Sequence, residues 1–144
     1  NIFVDPEAAD IVFRSGVKLT VMSLDVTHNA LTTAPHVQGF RDMGTRAGEM
    51  VAAWTDFFER FNKEKYASPG APLHDPCVIA YLLKPELFRG RFVDVVIELE
   101  GRYTRGMTVA DWWGVTDRAP NATMMNEIDA DGFFALLTER IARL

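Results

Sequence analysis

The sequence predicts an α/β fold, and three observations carry that reading. A helix opened by Asp5-Pro6-Glu7 runs straight into an alternating, β-rich segment from Val17 to Leu24. A second strand pattern, Phe92-Val93-Asp94-Val95-Val96-Ile97-Glu98-Leu99, follows a series of helical stretches. A last helix opens on Asp129. Helices alternating with strands are the grammar of α/β architecture. The sheet is expected to be mainly parallel, with some antiparallel strands, and flanked by helices.

Each element has its own signal. In the first helix, Asp5 can cap, Pro6 suits the first position and Glu7 favours the positive end of the helix dipole. Ala8, Ala9, Ile11, Val12 and Phe13 extend it to Ser15-Gly16, where glycine can close it. Residues 33–43 read as a short helix. Arg46 to about Lys65 is a longer one, with Met50, Val51, Trp54, Phe57, Phe58 and Phe61 at helical spacing. That aromatic stripe is expected to be core packing.

The loop Ser68-Pro69-Gly70-Ala71-Pro72 breaks the long helix. Asp75-Pro76 is expected to start the next one, which runs to about Leu83. Lys84 to Phe88 is a turn-like coda. Residues 108–113 and 122–128 are two further strands, expected to be antiparallel because their connections are short. No repeat or linker interrupts the chain, so residues 1–144 are expected to be one unit or part of one.

Composition excludes several classes. With 48% apolar and 24% charged residues, the chain is neither disordered nor collagen-like. No apolar run approaches the roughly 20 residues of a membrane-spanning helix. A net charge of −5 argues against a nucleic-acid backbone as partner. Cys77 is the only cysteine, so no internal disulfide can form. That fits a reducing compartment, and the cytoplasm is the expected location. The chain opens on Asn1 within a structured segment, and the expectation is a piece of a longer polypeptide.

The segment Leu73-His74-Asp75-Pro76-Cys77 carries the chemistry. It sets a proton carrier beside a hard oxygen ligand where a loop meets a helix. His74 reads either as a proton-transfer group or as a hydrogen-bonded loop histidine. Asp75 reads either as a metal ligand or as a helix cap. Cys77 reads as a buried structural thiol, and His28 and His36 as solvent-facing residues. Asn62 and Tyr66 share a helix face, which is either a recognition surface or an exposed helix end. Arg102 and Arg105 flank a turn that reads as a hairpin.

Four motifs in order give a more specific reading: Asn1 with Asp5-Pro6-Glu7-Ala8-Ala9, Leu24-Asp25-Val26-Thr27, Leu73-His74-Asp75-Pro76-Cys77 with Ala80-Tyr81-Leu82, and Gly101-Arg102-Tyr103-Thr104-Arg105-Gly106. Together they resemble the C-terminal half of the inosine-uridine-type nucleoside hydrolases, which cleave the N-glycosidic bond of ribonucleosides with a bound calcium ion. The resemblance implies that Asp75 ligates calcium. It implies that His74 helps move a proton toward the leaving base, as its counterpart does in purine-handling members, and that Asn1 hydrogen-bonds the ribose hydroxyls. It places Asn62 and Tyr66 over the nucleobase.

The family's Asp-rich motif, which supplies the other acidic ligands and the general base, has no counterpart here. The implied partners are a ribonucleoside and either the missing N-terminal half or further copies of the chain. Calcium is expected in the full-length enzyme and not as a tight ligand of this chain alone. The competing expectation is an α/β fragment or interaction module that keeps the scaffold without the chemistry.

Overall fold

The computed structural model describes the backbone of residues 1–66 and 69–144 and the side chains of residues 1–60 and 69–144. A 3-10 turn at Ile2–Val4 leads into α1 (Pro6–Arg14). Asp5 caps α1, its carboxylate accepting from the Ala8 amide at 3.0 Å. Then come β1 (Leu19–Met22), the single-turn α2 (Leu24–Thr27), β2 (Leu31–Thr32), α3 (Ala34–Asp42) and α4 (Arg46–Tyr66). The chain continues through β3 (Ala71–Pro72), α5 (His74–Leu83) and a 3-10 turn at Pro85–Leu87. It closes with β4 (Phe88–Val93), β5 (Val95–Ile97), β6 (Thr108–Ala110), β7 (Ala122–Ile128) and α6 (Ala130–Ile141). Asp129 caps α6 through the Gly132 amide at 3.0 Å.

The class is mixed α/β, as expected. One sheet has three strands in the order β1-β7-β4. Two smaller pairs, β2 with β3 and β5 with β6, are both antiparallel. Among the described residues no helix is long and apolar enough to cross a membrane.

The chain forms two compact units. The first comprises Asn1–Val21 and Gly90–Met125. Its core gathers Phe13 of α1, Val93, Val95 and Ile97 of β4 and β5, and Ala122 and Met124 of β7. Asn121 ties these elements together. Its side chain accepts from the Val95 amide at 2.8 Å and donates to the carbonyls of Val95 at 2.8 Å and Phe13 at 3.1 Å. The β5–β6 hairpin bears out the reading of the Arg102–Arg105 turn. Arg105 donates to the Leu99 carbonyl at 2.6 Å and pairs with Glu7 at 2.5 Å. Gly106 sits there at φ +84°, a backbone angle open to glycine, with Phe3 packed against it.

The second unit comprises Met22–Arg89 and Asn126–Leu144. Val37 and Phe40 of α3, Ala52 of α4 and Ile141 of α6 form a buried cluster. Here one sequence expectation is corrected. Trp54 and Phe57 are 64% and 76% exposed, not core. The face of α4 turned inward carries Gly48, Ala52, Thr55 and Glu59 instead. Small residues at that spacing let α3 and α4 approach closely: a Cβ on Gly48 would stand 2.3 Å from the Phe40 carbonyl oxygen. Helical periodicity reveals a stripe but not which stripe faces the core.

Two strand expectations also shift. The β-rich run from Val17 breaks after Met22, and Ser23 to Thr27 turn into α2. The run 92–99 is interrupted at Asp94, whose carboxylate is buried and accepts from Arg118 at 2.7 Å.

Candidate functional site

His74 and Asp75 open α5 side by side, but not as a simple cap. Leu73 is the N-cap residue, His74 is the first helical residue and Asp75 the second. No side chain caps this helix, so Asp75 is not the cap that the sequence allowed. The reason lies just upstream. Leu31 pairs with Pro72 across β2–β3, and the Leu73 amide donates to the Ala30 carbonyl at 3.0 Å. The chain is therefore still extended at Leu73, and the helix begins at the next residue. That leaves the Asp75 carboxylate uncommitted to the backbone as a cap.

Cys77 fixes the turn from beneath. It is fully buried, its thiol donates to the Leu73 carbonyl at 3.0 Å, and burial pushes its pKa up to about 11. A thiol held protonated at neutral pH is a structural group, as the sequence reading expected.

His74 is half-buried, and its Nδ1 lies 2.8 Å from the hydroxyl of Thr27 at the end of α2. Thr27 is 1% exposed. The His28 ring stands 5.7 Å from the His74 ring, tilted by 50°. Burial lowers the His74 pKa most, and the His28 charge lowers it further, while Asp75 opposes both. Burial therefore favours the neutral ring.

Sequence reasoning missed Thr27 as the partner of His74 and treated His28 as having no relevant neighbour. The motif Leu24-Asp25-Val26-Thr27 held a signal, because a threonine beside a histidine is a polar pair at the edge of an apolar run. What no local pattern shows is that residue 27 meets residue 74.

His28 is exposed, as read, whereas His36 departs from its solvent-facing expectation. The Thr33 amide donates to its Nδ1 at 3.1 Å, and the ring stacks on Phe134 with centroids 3.8 Å apart. It is a capping and packing residue of α3.

Asn1 lies in the first unit, exposed, at the start of the 3-10 turn, where its carbonyl accepts from the Val4 amide at 3.0 Å. Its amide side chain makes no capping bond. Asn62 and Tyr66 fall on α4, and their side chains lie outside the described residues.

Calcium needs six to eight oxygen ligands. Among the described residues no group of three or more His, Cys, Asp and Glu stands close enough to hold a metal ion. Asp129 and Asp131, an Asp-x-Asp pair, serve the start of α6: the first caps it and the second lies in its first turn. The described side chains do not by themselves fit a calcium centre.

Each unit has a concavity of its own. In the first, a cleft of ≈ 330 Å³ is lined by Arg91, Asp94, Asp111, Trp112 and Arg118. Its polar groups are already engaged, Asp94 with Arg118 and Arg91 with the Trp112 carbonyl at 3.1 Å. In the second, a cleft of ≈ 380 Å³ between α5 and α6 is lined by Ile79, Leu83, Phe133, Leu136 and Leu137, with Asp75 and Arg140 also on its wall.

The chain is similar to known proteins over nearly its whole length. The profile of the family described as inosine-uridine preferring nucleoside hydrolase matches residues 1–135. A pyrimidine-specific ribonucleoside hydrolase, RihA, from Enterobacter sp. (strain 638) is 51% identical over 144 residues, covering 99% of this chain and 46% of the relative. A purine-preferring ribonucleoside hydrolase from Gardnerella vaginalis superposes with a TM-score of 0.87 at 33% identity, covering 99% of this chain and 45% of that one. A plant nucleoside hydrolase superposes with a TM-score of 0.88 at 26% identity, covering 100% of this chain and 47% of that one. The chain spans about half the length of the curated relatives it matches.

Proposed function

Because the chain belongs to the inosine-uridine preferring nucleoside hydrolase family, we propose that the polypeptide carrying it hydrolyses the N-glycosidic bond of ribonucleosides to free base and ribose. Pyrimidine ribonucleosides are the preferred substrates. The 51% identical relative bears the pyrimidine-specific name, and the purine-preferring structure is more distant at 33%. The observation that carries the reading is the start of α5, where His74 is held at Nδ1 and stands next to an uncapped Asp75.

In the reaction, the oxygen of water forms a bond to the anomeric carbon. The electron pair of the C–N bond leaves with the base, and a proton from His74 neutralises it. Imidazole suits the task because its ordinary pKa lies near 6.5. Asn1 supplies a donor and an acceptor on one side chain, which suits a sugar diol. Asn62 and Tyr66 are assigned to the base. Asp75 is assigned as one calcium ligand. The remaining ligands and the residue that takes the proton from water belong to parts of the fold outside this chain, so its partner is the rest of that fold. A lone, buried cysteine fits the cytoplasm.

A second reading, a scaffold without the chemistry, draws on the incomplete metal set. One experiment separates the two. Within a polypeptide of its relatives' length, the sequence is assayed on uridine, cytidine, inosine and p-nitrophenyl riboside. Hydrolysis is expected to be faster for uridine than for inosine. His74→Ala is expected to lower uridine turnover by about 10²–10⁴-fold while sparing p-nitrophenyl riboside, whose leaving group needs no proton. Absence of hydrolysis on every nucleoside would select the scaffold reading. Equal losses on uridine and p-nitrophenyl riboside would remove His74 from the proton step.

A further inference from the structure

We propose that Thr27 is a positioning residue for His74: its buried hydroxyl holds Nδ1 and fixes the plane and tautomer of the ring. The inference rests on the reading of His74 as the group that moves a proton to the leaving base. It begins from the contact itself. Thr27 closes the one-turn helix α2, 47 residues before His74, and both its main chain and its side chain are tied down. The amides of Thr27 and His28 donate to the carbonyls of Ser23 and Leu24 at 3.1 and 2.9 Å. The neighbouring Val26 is fully buried, so α2 cannot rotate without opening the core of its unit. The hydroxyl therefore sits on a fixed mount, 2.8 Å from Nδ1.

The chemistry of the pair follows from donor and acceptor counts. A hydroxyl can donate one hydrogen bond and accept two. An imidazolium carries a proton on each nitrogen, and its Nδ1–H donates to Thr27 Oγ1. When the Nε2 proton passes to the leaving base, the neutral ring keeps the Nδ1 proton and the same hydrogen bond. One partner thus serves the ring before and after transfer, without rotation of either side chain. A valine at position 27 would fill nearly the same space but give Nδ1 nothing to bond. The ring would then be free to flip and to carry its proton on either nitrogen. The other histidine at the site, His28, is exposed and meets the ring only at 5.7 Å between centroids, too far to hold its plane.

The test uses Thr27→Val and Thr27→Ser in the polypeptide of its relatives' length. Thr27→Val is expected to lower kcat on uridine about 10-fold or more. It should change kcat on p-nitrophenyl riboside less than about 3-fold and leave KM unaltered. That loss is a part of the roughly 10²–10⁴ that a placed proton donor contributes. Thr27→Ser keeps the hydroxyl and should restore most of the rate. Equal loss on both substrates, or a serine variant as poor as the valine one, would overturn the proposal.

The ring nitrogen shifts of His74, read by nitrogen-15 NMR in the same proteins, give a measure that does not depend on nucleoside hydrolysis. A single Nδ1-bonded form is expected with threonine or serine, and a mixture of tautomers with valine. Unchanged shifts in Thr27→Val would overturn the positioning role even if His74 proves to be the proton donor. Altered shifts with no activity in any variant would support the positioning role and reject the hydrolase reading.

Discussion

Asp111 shows how one side chain can govern a loop. Its carboxylate accepts from the Val115 amide at 2.9 Å and from the Thr116 amide and hydroxyl at 2.7 and 2.6 Å. The Thr116 hydroxyl is the largest influence, and with the amides it lowers the pKa from 3.8 to about 2. A carboxylate depressed in the folded state stabilises that state above its unfolded pKa, and the contribution is lost as pH falls through the folded value. The 111–116 turn is therefore expected to hold at pH 4 and to loosen only near pH 2. Carboxyl carbon shifts followed through an acid titration check this. An Asp111 that titrates near 3.8 would show that the three donors do not hold the charge.

None of these three bonds was legible in the sequence, which read residues 108–113 as strand through Trp113. A carboxylate that folds back on amides four and five residues on is a short-range device, but the strand propensity of the two tryptophans masks it. His36 is a different case. Its bond to Thr33 lies within a local spacing that a reader can look for, whereas its stacking on Phe134 spans 98 positions.

At the scale of elements, the sequence announces helix starts better than strand ends. Asp5 and Asp129 both cap as read, because each needs only its own next three residues. The strand run at 92–99 breaks at Asp94, whose carboxylate meets Arg118, 24 positions away, a contact no local pattern shows. Glycines mark where elements touch. Gly90 in β4 faces the backbone of β7: a Cβ there would lie 2.4 Å from the Met124 carbonyl oxygen and 2.7 Å from Met125 Sδ. The carbonyl belongs to the sheet and cannot give way. Gly39, on the exposed face of α3, has nothing within 4 Å of the same built atom. Gly90→Ala is therefore expected to destabilise by about 1–3 kcal/mol. Gly39→Ala should stabilise by about 0.4–1 kcal/mol, chiefly by restricting the unfolded chain. Urea midpoints of the two variants test the contrast. A Gly90→Ala midpoint at or above that of the parent would mean that β4 and β7 do not approach as closely as described.

At the scale of the whole molecule, α5 turns a run of apolar side chains to the surface. On α5, Val78, Ile79, Leu82 and Leu83 are 48%, 58%, 72% and 52% exposed. Ile79 and Leu83 line the apolar cleft with Phe133, Leu136 and Leu137. The sequence made this helix legible as an apolar run but held no sign of what lies over it, since a buried run and a run waiting for a partner read alike. The chain spans 46% of the length of its relative from Enterobacter. Contiguous apolar surface of this kind drives association when nothing covers it. Alone in solution, the 144-residue chain is expected to self-associate above its 16.2 kDa monomer mass, with a weight that rises with concentration. Leu82→Glu and Ile79→Glu, placed at exposed positions, should shift it back toward monomer without unfolding it. Light scattering across a dilution series, with circular dichroism on the variants, checks both parts. A chain that stays at 16.2 kDa at every concentration would show that the exposed face of α5 needs no cover, and the expectation of a covering partner would fall with it.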